Sequence, residues 1–230
     1  MFQPWDELLR RYVDERGLVN YRAWKQQSVL KLTDWLQELS LIDPAQLSPD
    51  EQIALWLNLY NALTIASVLK RYPTESILPK FMGIPNWLAF IAFFARPVYV
   101  INQRRYSLSN IEHDILRAKF NEPRIHFALV CASIGCPLLR NEAYTGDRLQ
   151  TQLHDDATRF INNPDKVYYL PEEQTLYCSK IFKWYKKDFL EVSSSIPEYI
   201  QTYWASDISL NASTPIKYLD YDWSLNQRIS

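Results

Sequence analysis

The sequence predicts an α+β fold: a helix-rich single domain over residues 1–230, with a central apolar helix packed on a small sheet. Three observations predict it. The stretch opening at Ser48 reads SPDEQIALWLNLYNALTIASVLKR and is apolar nearly all round, the pattern of a buried helix. Further segments carry helical periodicity, and only a few short stretches read as strands. No repeat, low-complexity tract or linker divides the chain. The 230 residues suffice for a full core, and an aromatic content of 14% points to a folded chain rather than disorder.

The elements follow in order. Trp5 to Val13 places Leu8, Leu9, Tyr12 and Val13 on one helical face, and Gly17 ends that element. Leu18 to Tyr21 reads as a short extended piece. Ser28 to Leu41 predicts a helix with Leu30, Leu32, Trp35, Leu36 and Leu39 as its apolar set. Ser48, Pro49 and Glu51 form a capping box with proline at the first helical position, and the central helix runs from there to about Arg71. Asn58 and Asn61 share one face of it. An unpaired buried amide is costly, so each must find a partner. They either fix neighbouring loop backbone or orient a catalytic side chain or a substrate amide.

Trp87 to Ala95, WLAFIAFFA, is the most apolar stretch. A membrane span needs about 20 residues, so no transmembrane span is expected here. A buried helix is the expected reading, with an exposed apolar lip as the alternative. Val98 to Tyr106 predicts a strand pair around NQRR. Ser109 then caps SNIEHDILRAKF with Glu112 at its third position, which puts His113 in the first helical turn, where the neutral imidazole is favoured. Thr145 to Asn162 is amphipathic, with His154 off its apolar face. Val167 to Leu176 predicts a hairpin around PEEQ, SKIFKWYKKDF a compact helix, Glu198 to Trp204 a helix and Ile216 to Trp223 a last extended segment.

Chemistry concentrates in Arg124 to Arg140, RIHFALVCASIGCPLLR. It holds His126, Cys131, Cys136 and one of the four glycines. Ile125 to Val130 is apolar apart from His126 and predicts a buried central strand; Ala132 to Pro137 is turn-prone. Cys131 falls at the junction, where a rigidly held side chain can face a cleft. The scarcity of glycine argues against a phosphate loop or dinucleotide fingerprint, and neither motif is present. A net charge of −1 leaves no footprint for nucleic acid. The N-terminus has no secretory pattern, so a cytoplasmic location is expected.

The motifs IALWLNLYNALTI, SLSNIEHDILR, RIHFALVCASIGCP, SKIFKWYKKDF and YDWSLN, in that order, resemble the DUF547 family, a domain of unknown function. The resemblance covers nearly the whole chain from GLVNY onward. It implies a papain-like or transglutaminase-like fold. In the family pattern the positions of Asn58, Asn61, His113, His126 and Cys131 recur. The position of Cys136 can be Ser in plant members, which points to Cys131, not Cys136, as the functional thiol.

The expected activity is a cysteine-dependent hydrolase or acyl transferase acting on a small-molecule or peptide substrate. Cys131 is the candidate nucleophile, with His113 ahead of His126 as base. Along a strand, His126 and Cys131 would stand roughly 16 Å apart. Glu112, Asn58 or Asn61 would orient the imidazole; Glu112 points about 100° away from His113 on a helix. The competing reading of Cys131 is a buried structural thiol, and that of His126 a satisfied core histidine. Two other functions compete: a non-catalytic protein- or membrane-interaction domain, and a thiol redox switch in which Cys131 and Cys136 form a loop disulfide. No cofactor is expected, and no metal, because Cys131, Cys136 and His126 lack zinc-finger spacing.

Overall fold

The computed structural model describes residues 1–81 and 83–228. Three helices open the chain: α1 (Gln3–Tyr12), α2 (Tyr21–Gln27) and α3 (Val29–Leu39). The periodicity of α1 and α3 predicts both, although Leu30 points to solvent at 77% exposure. The extended piece after Gly17 shrinks to Val19, which bridges to Val13, and Asn20 immediately caps α2 by accepting from the Ala23 amide.

α4 (Pro49–Arg71) is the central helix, and its N-terminal capping box is complete. The Ser48 hydroxyl accepts from the Glu51 amide at 3.4 Å, and Glu51 accepts from the Ser48 amide at 2.9 Å. By length and composition α4 would suffice to cross a bilayer, yet 83% of its most apolar window is buried inside the protein. Its neighbours are helices α2, α3 and α6 (Leu149–Ile161) and the wide-turn helix Asn110–Arg117, and its apolar residues belong to a first hydrophobic cluster.

A second cluster gathers around Phe182 and Phe189. It includes the small sheet of β5 (Val167–Leu170), β6 (Thr175–Cys178) and β7 (Ile216–Tyr218), in which β5 and β6 are antiparallel and β6 and β7 parallel. The sheet therefore packs on this second cluster rather than on the central helix. α7 (Ile181–Trp184), α8 (Lys186–Leu190) and α9 (Ile196–Gln201) complete it. Two further antiparallel pairs are short: β1 (Lys80–Phe81) with β2 (Ile84–Pro85), and β3 (Tyr99–Ile101) with β4 (Arg104–Tyr106).

Two expectations are corrected here. Ile125 to Val130 is not a strand. Pro123 pre-sets the backbone and Glu122 accepts from the Arg124 amide, which starts a 3-10 turn over Pro123–Phe127. A continuous apolar run does not distinguish a strand from other buried backbone. In this turn Ile125 and Ala128 enter the first cluster and Phe127 the second, so His126 sits where the two cores meet. The second correction is α5 (Trp87–Ala95). It is helical, but Phe93 alone is buried, with Leu88 at 82% and Ile91 at 57% exposure, so the exposed-lip alternative describes it.

Candidate functional site

The loop Cys131–Pro137 is held from two sides. From α4, the Asn61 amide donates to the Ala128 carbonyl at 3.0 Å and accepts from the Val130 amide at 3.0 Å. This clamps the backbone just before Cys131. From the C-terminal side, the Ser224 and Asp222 carbonyls accept from the Ile134 and Gly135 amides, and the Asn226 amide donates to the Ala132 carbonyl. Ala132 has φ +66°. An alanine in this left-handed region costs roughly 1–2 kcal/mol and persists only where surroundings enforce it. Gly135 is required by close approach: a Cβ there would lie 2.8 Å from the Asp222 carbonyl oxygen and from the Tyr221 ring.

Asn58 makes the same two-ended clamp on Tyr144, donating to its carbonyl at 2.8 Å and accepting from its amide at 3.0 Å. Its target therefore lies beyond Arg140. Both asparagines fix loop backbone, and only Asn61 fixes the cysteine loop.

Cys131 and Cys136 are joined by a disulfide. The Tyr221 hydroxyl lies 3.4 Å from the Cys131 sulfur and 3.2 Å from that of Cys136, and the Ser133 hydroxyl is 3.2 Å from Cys131. Cys178 is buried away from them as a free thiol, and burial pushes its pKa up to about 12.

His126 is buried, and its Nε2 is 2.7 Å from Asp188 Oδ2 on α8. The ring stacks on Tyr185 with centroids 3.8 Å apart. Arg117 reaches the same carboxylate with two bonds of 2.6 and 2.8 Å. Burial raises the Asp188 pKa, but the hydrogen bonds from Arg117 and His126 outweigh it and hold the carboxyl well below the usual range. Burial lowers the His126 pKa, against the raising effect of its bond to Asp188. The imidazole is thus held in its neutral, basic form. With Nε2 bonded to Asp188, Nδ1 is the ring nitrogen left to take a further proton.

The helix carrying Glu112 starts earlier than the spacing predicts, because Ser107 and Asn110 cap each other: the Ser107 hydroxyl accepts from the Asn110 amide at 3.0 Å, and Asn110 Oδ1 accepts from the Ser107 amide at 3.1 Å. Ser109 makes no cap. Glu112 is freed from capping and is buried, accepting from Tyr185 at 2.5 Å and from Tyr60 at 3.3 Å. It supports the ring that stacks on His126. His113 is exposed, and its Nδ1 lies 2.9 Å from the Arg117 guanidinium. A guanidinium can only donate, so Nδ1 accepts and is occupied.

A cavity of about 430 Å³ collects these groups: Glu112, His113, His126, Cys131 and Cys136 all line it. Asn58 and Asn61 are not among its lining residues. The sequence reading missed Asp188, Arg117, Tyr185 and Tyr221 as site residues. The motifs SKIFKWYKKDF and YDWSLN were the available signal, but nothing in their spacing assigns a role. Among the described residues, no three His, Cys, Asp or Glu side chains converge to hold a metal ion.

Residues 44–161 match a family model described as "Protein of unknown function, DUF547". No curated protein and no solved structure matches the chain. The matched span includes the central helix, the Glu112 helix, the His126 turn and the cysteine loop, and the chain belongs to the DUF547 family.

Proposed function

We propose that the protein is a cysteine-dependent hydrolase or acyl transferase, with Cys131 as nucleophile, His126 as base and Asp188 as the group that orients the base. The observation that carries this reading is a carboxylate-bonded imidazole, kept neutral by burial, lining the same cavity as Cys131. His113 is displaced as first choice because its Nδ1 is taken by Arg117. The reaction needs Cys131 as a free thiol. A dithiol reductant first converts the Cys131–Cys136 disulfide to two thiols and is itself oxidised to a disulfide. His126 then takes the Cys131 proton, the thiolate adds to the substrate carbonyl, and the leaving group departs with that proton. Water or an acceptor nucleophile attacks the thioester and restores the thiol. Closing so short a loop contributes only about 2 kcal/mol, so the reduced chain is expected to remain folded.

The disulfide itself favours a second reading, thiol–disulfide exchange, in which Cys131 attacks a partner disulfide and Cys136 resolves it. One variant separates the two. Acyl transfer predicts that Cys136→Ser is active without reductant and accumulates a thioester detectable by intact mass, while Cys131→Ser and His126→Ala do not. If Cys136→Ser forms no acyl-enzyme with any thioester but loses exchange activity that the wild type shows, the acyl-transfer reading fails. Cys178 should stay unlabelled by iodoacetamide in the native protein under either reading.

A further inference from the structure

We infer that the cavity beside Cys131 is built for a neutral aliphatic acyl chain, which enters beneath α5. This rests on the acyl-transfer reading for its reaction, though not for its binding. An aromatic wall runs without a break from α5 to the sulfurs. Phe94 packs on Phe90 at 5.0 Å, Phe90 on Trp223 at 4.9 Å, and Trp223 on Tyr221 at 4.4 Å between ring centroids. Tyr221 then reaches both cysteine sulfurs through its hydroxyl. All four rings line the cavity, with Trp87 and Trp184 beside them.

Charge excludes the commoner small ligands. Among the described residues no lysine or arginine lines the cavity, so a phosphate or carboxylate would enter without a lysine or arginine counter-ion from that lining. Glu112, the one lining carboxylate among the described residues, already accepts from two tyrosine hydroxyls. Phe90 and Trp87 meet Trp223 edge-on, at 78° and 89°, while Trp184 lies nearly parallel to Trp223 at 25° with centroids 5.9 Å apart. The edge-to-face pairs leave a ridged apolar surface suited to a flexible chain. Outside the cavity lining, α5 also carries the aliphatic side chains of Leu88 and Ile91, both well exposed. Among the described residues, a helix this apolar with one buried residue lacks a full cover, and an acyl tail leaving the cavity supplies one.

The disulfide form allows binding to be measured apart from turnover. Oxidised protein is titrated with N-acetylcysteamine thioesters of acetyl, butyryl, hexanoyl, octanoyl and decanoyl groups, followed by tryptophan fluorescence. Affinity is expected to rise by up to about fourfold per methylene while the chain remains in the cavity. Phe90→Ala and Ile91→Ser should each flatten that rise. A flat series in the wild type overturns the inference. Tighter binding of a trimethylammonium-ended chain than of the neutral chain of equal length overturns it too, since that identifies a cation cage. With reduced protein the same series reports turnover: kcat/KM rising with chain length supports the inference. A steep binding series without any acyl-enzyme leaves the chain site standing and defeats only the acyl-transfer reading.

Discussion

His126 carries the protonation behaviour of the site. Its pKa is lowered by burial and partly restored by Asp188, so the acid limb of a kcat/KM profile should fall below the ordinary imidazole value of about 6.5. Asp188→Asn removes the raising influence, and the limb should move further toward acid, read from the pH profile or from the ring's NMR titration. His126→Ala should lower kcat by about 10² to 10⁴-fold, the usual contribution of a positioned base. Asn61→Ala would leave a buried carbonyl and a buried amide unpaired. A loss of about 2 to 4 kcal/mol in urea unfolding is expected, together with slower labelling of reduced Cys131. Asn61, His126 and Cys131 were legible in the sequence because each is a polar or reactive group in an apolar setting. Asp188 was not. A charge in KWYKKDF reads as a solvated face, and its site role comes from His126 and Arg117, 62 and 71 residues away in the chain.

At the scale of elements, local chemistry that completes itself locally could be read in advance. The capping box of α4 is the clearest case, and Ser48→Ala should cost about 1 kcal/mol of stability. The β3–β4 turn and the β5–β6 hairpin were legible for the same reason. The Glu112 helix was legible as a helix but not in its start, since Ser107 with Asn110 and Ser109 with Glu112 offer two cap patterns two residues apart. Backbone whose partners are distant side chains, as at Ala128 and Val130, leaves no local trace. The cysteine loop depends on such distant partners, and Gly135→Ala tests it. The added methyl would push on the Asp222 carbonyl and the Tyr221 ring, so stability and reduced-thiol reactivity should fall together, measured by urea unfolding and iodoacetamide labelling.

In the whole molecule, the site joins two hydrophobic clusters through the turn that carries His126. A protonated His126 would place a charge at that junction. Below about 6.5 the unfolded chain binds the proton while the native ring, with its lower pKa, does not, so stability should decline as pH falls from there through the folded pKa. Thermal melts between pH 8 and 5 check this, and His126→Gln should flatten the decline. Asp188 adds a further loss only at lower pH, because its depressed carboxyl stabilises the fold until the pH falls through its folded pKa. The strap from Tyr221 to Asn226 has a consequence in time. Tyr221 stands 90 residues after Cys131. At a ribosomal rate of roughly 5–20 residues per second, about 5 to 20 seconds separate the synthesis of the thiol from that of the tyrosine that abuts it. Through that interval the nascent chain carries a cysteine loop without its strap, so the site can be assembled only after the lengthening polypeptide has added Tyr221 to Asn226.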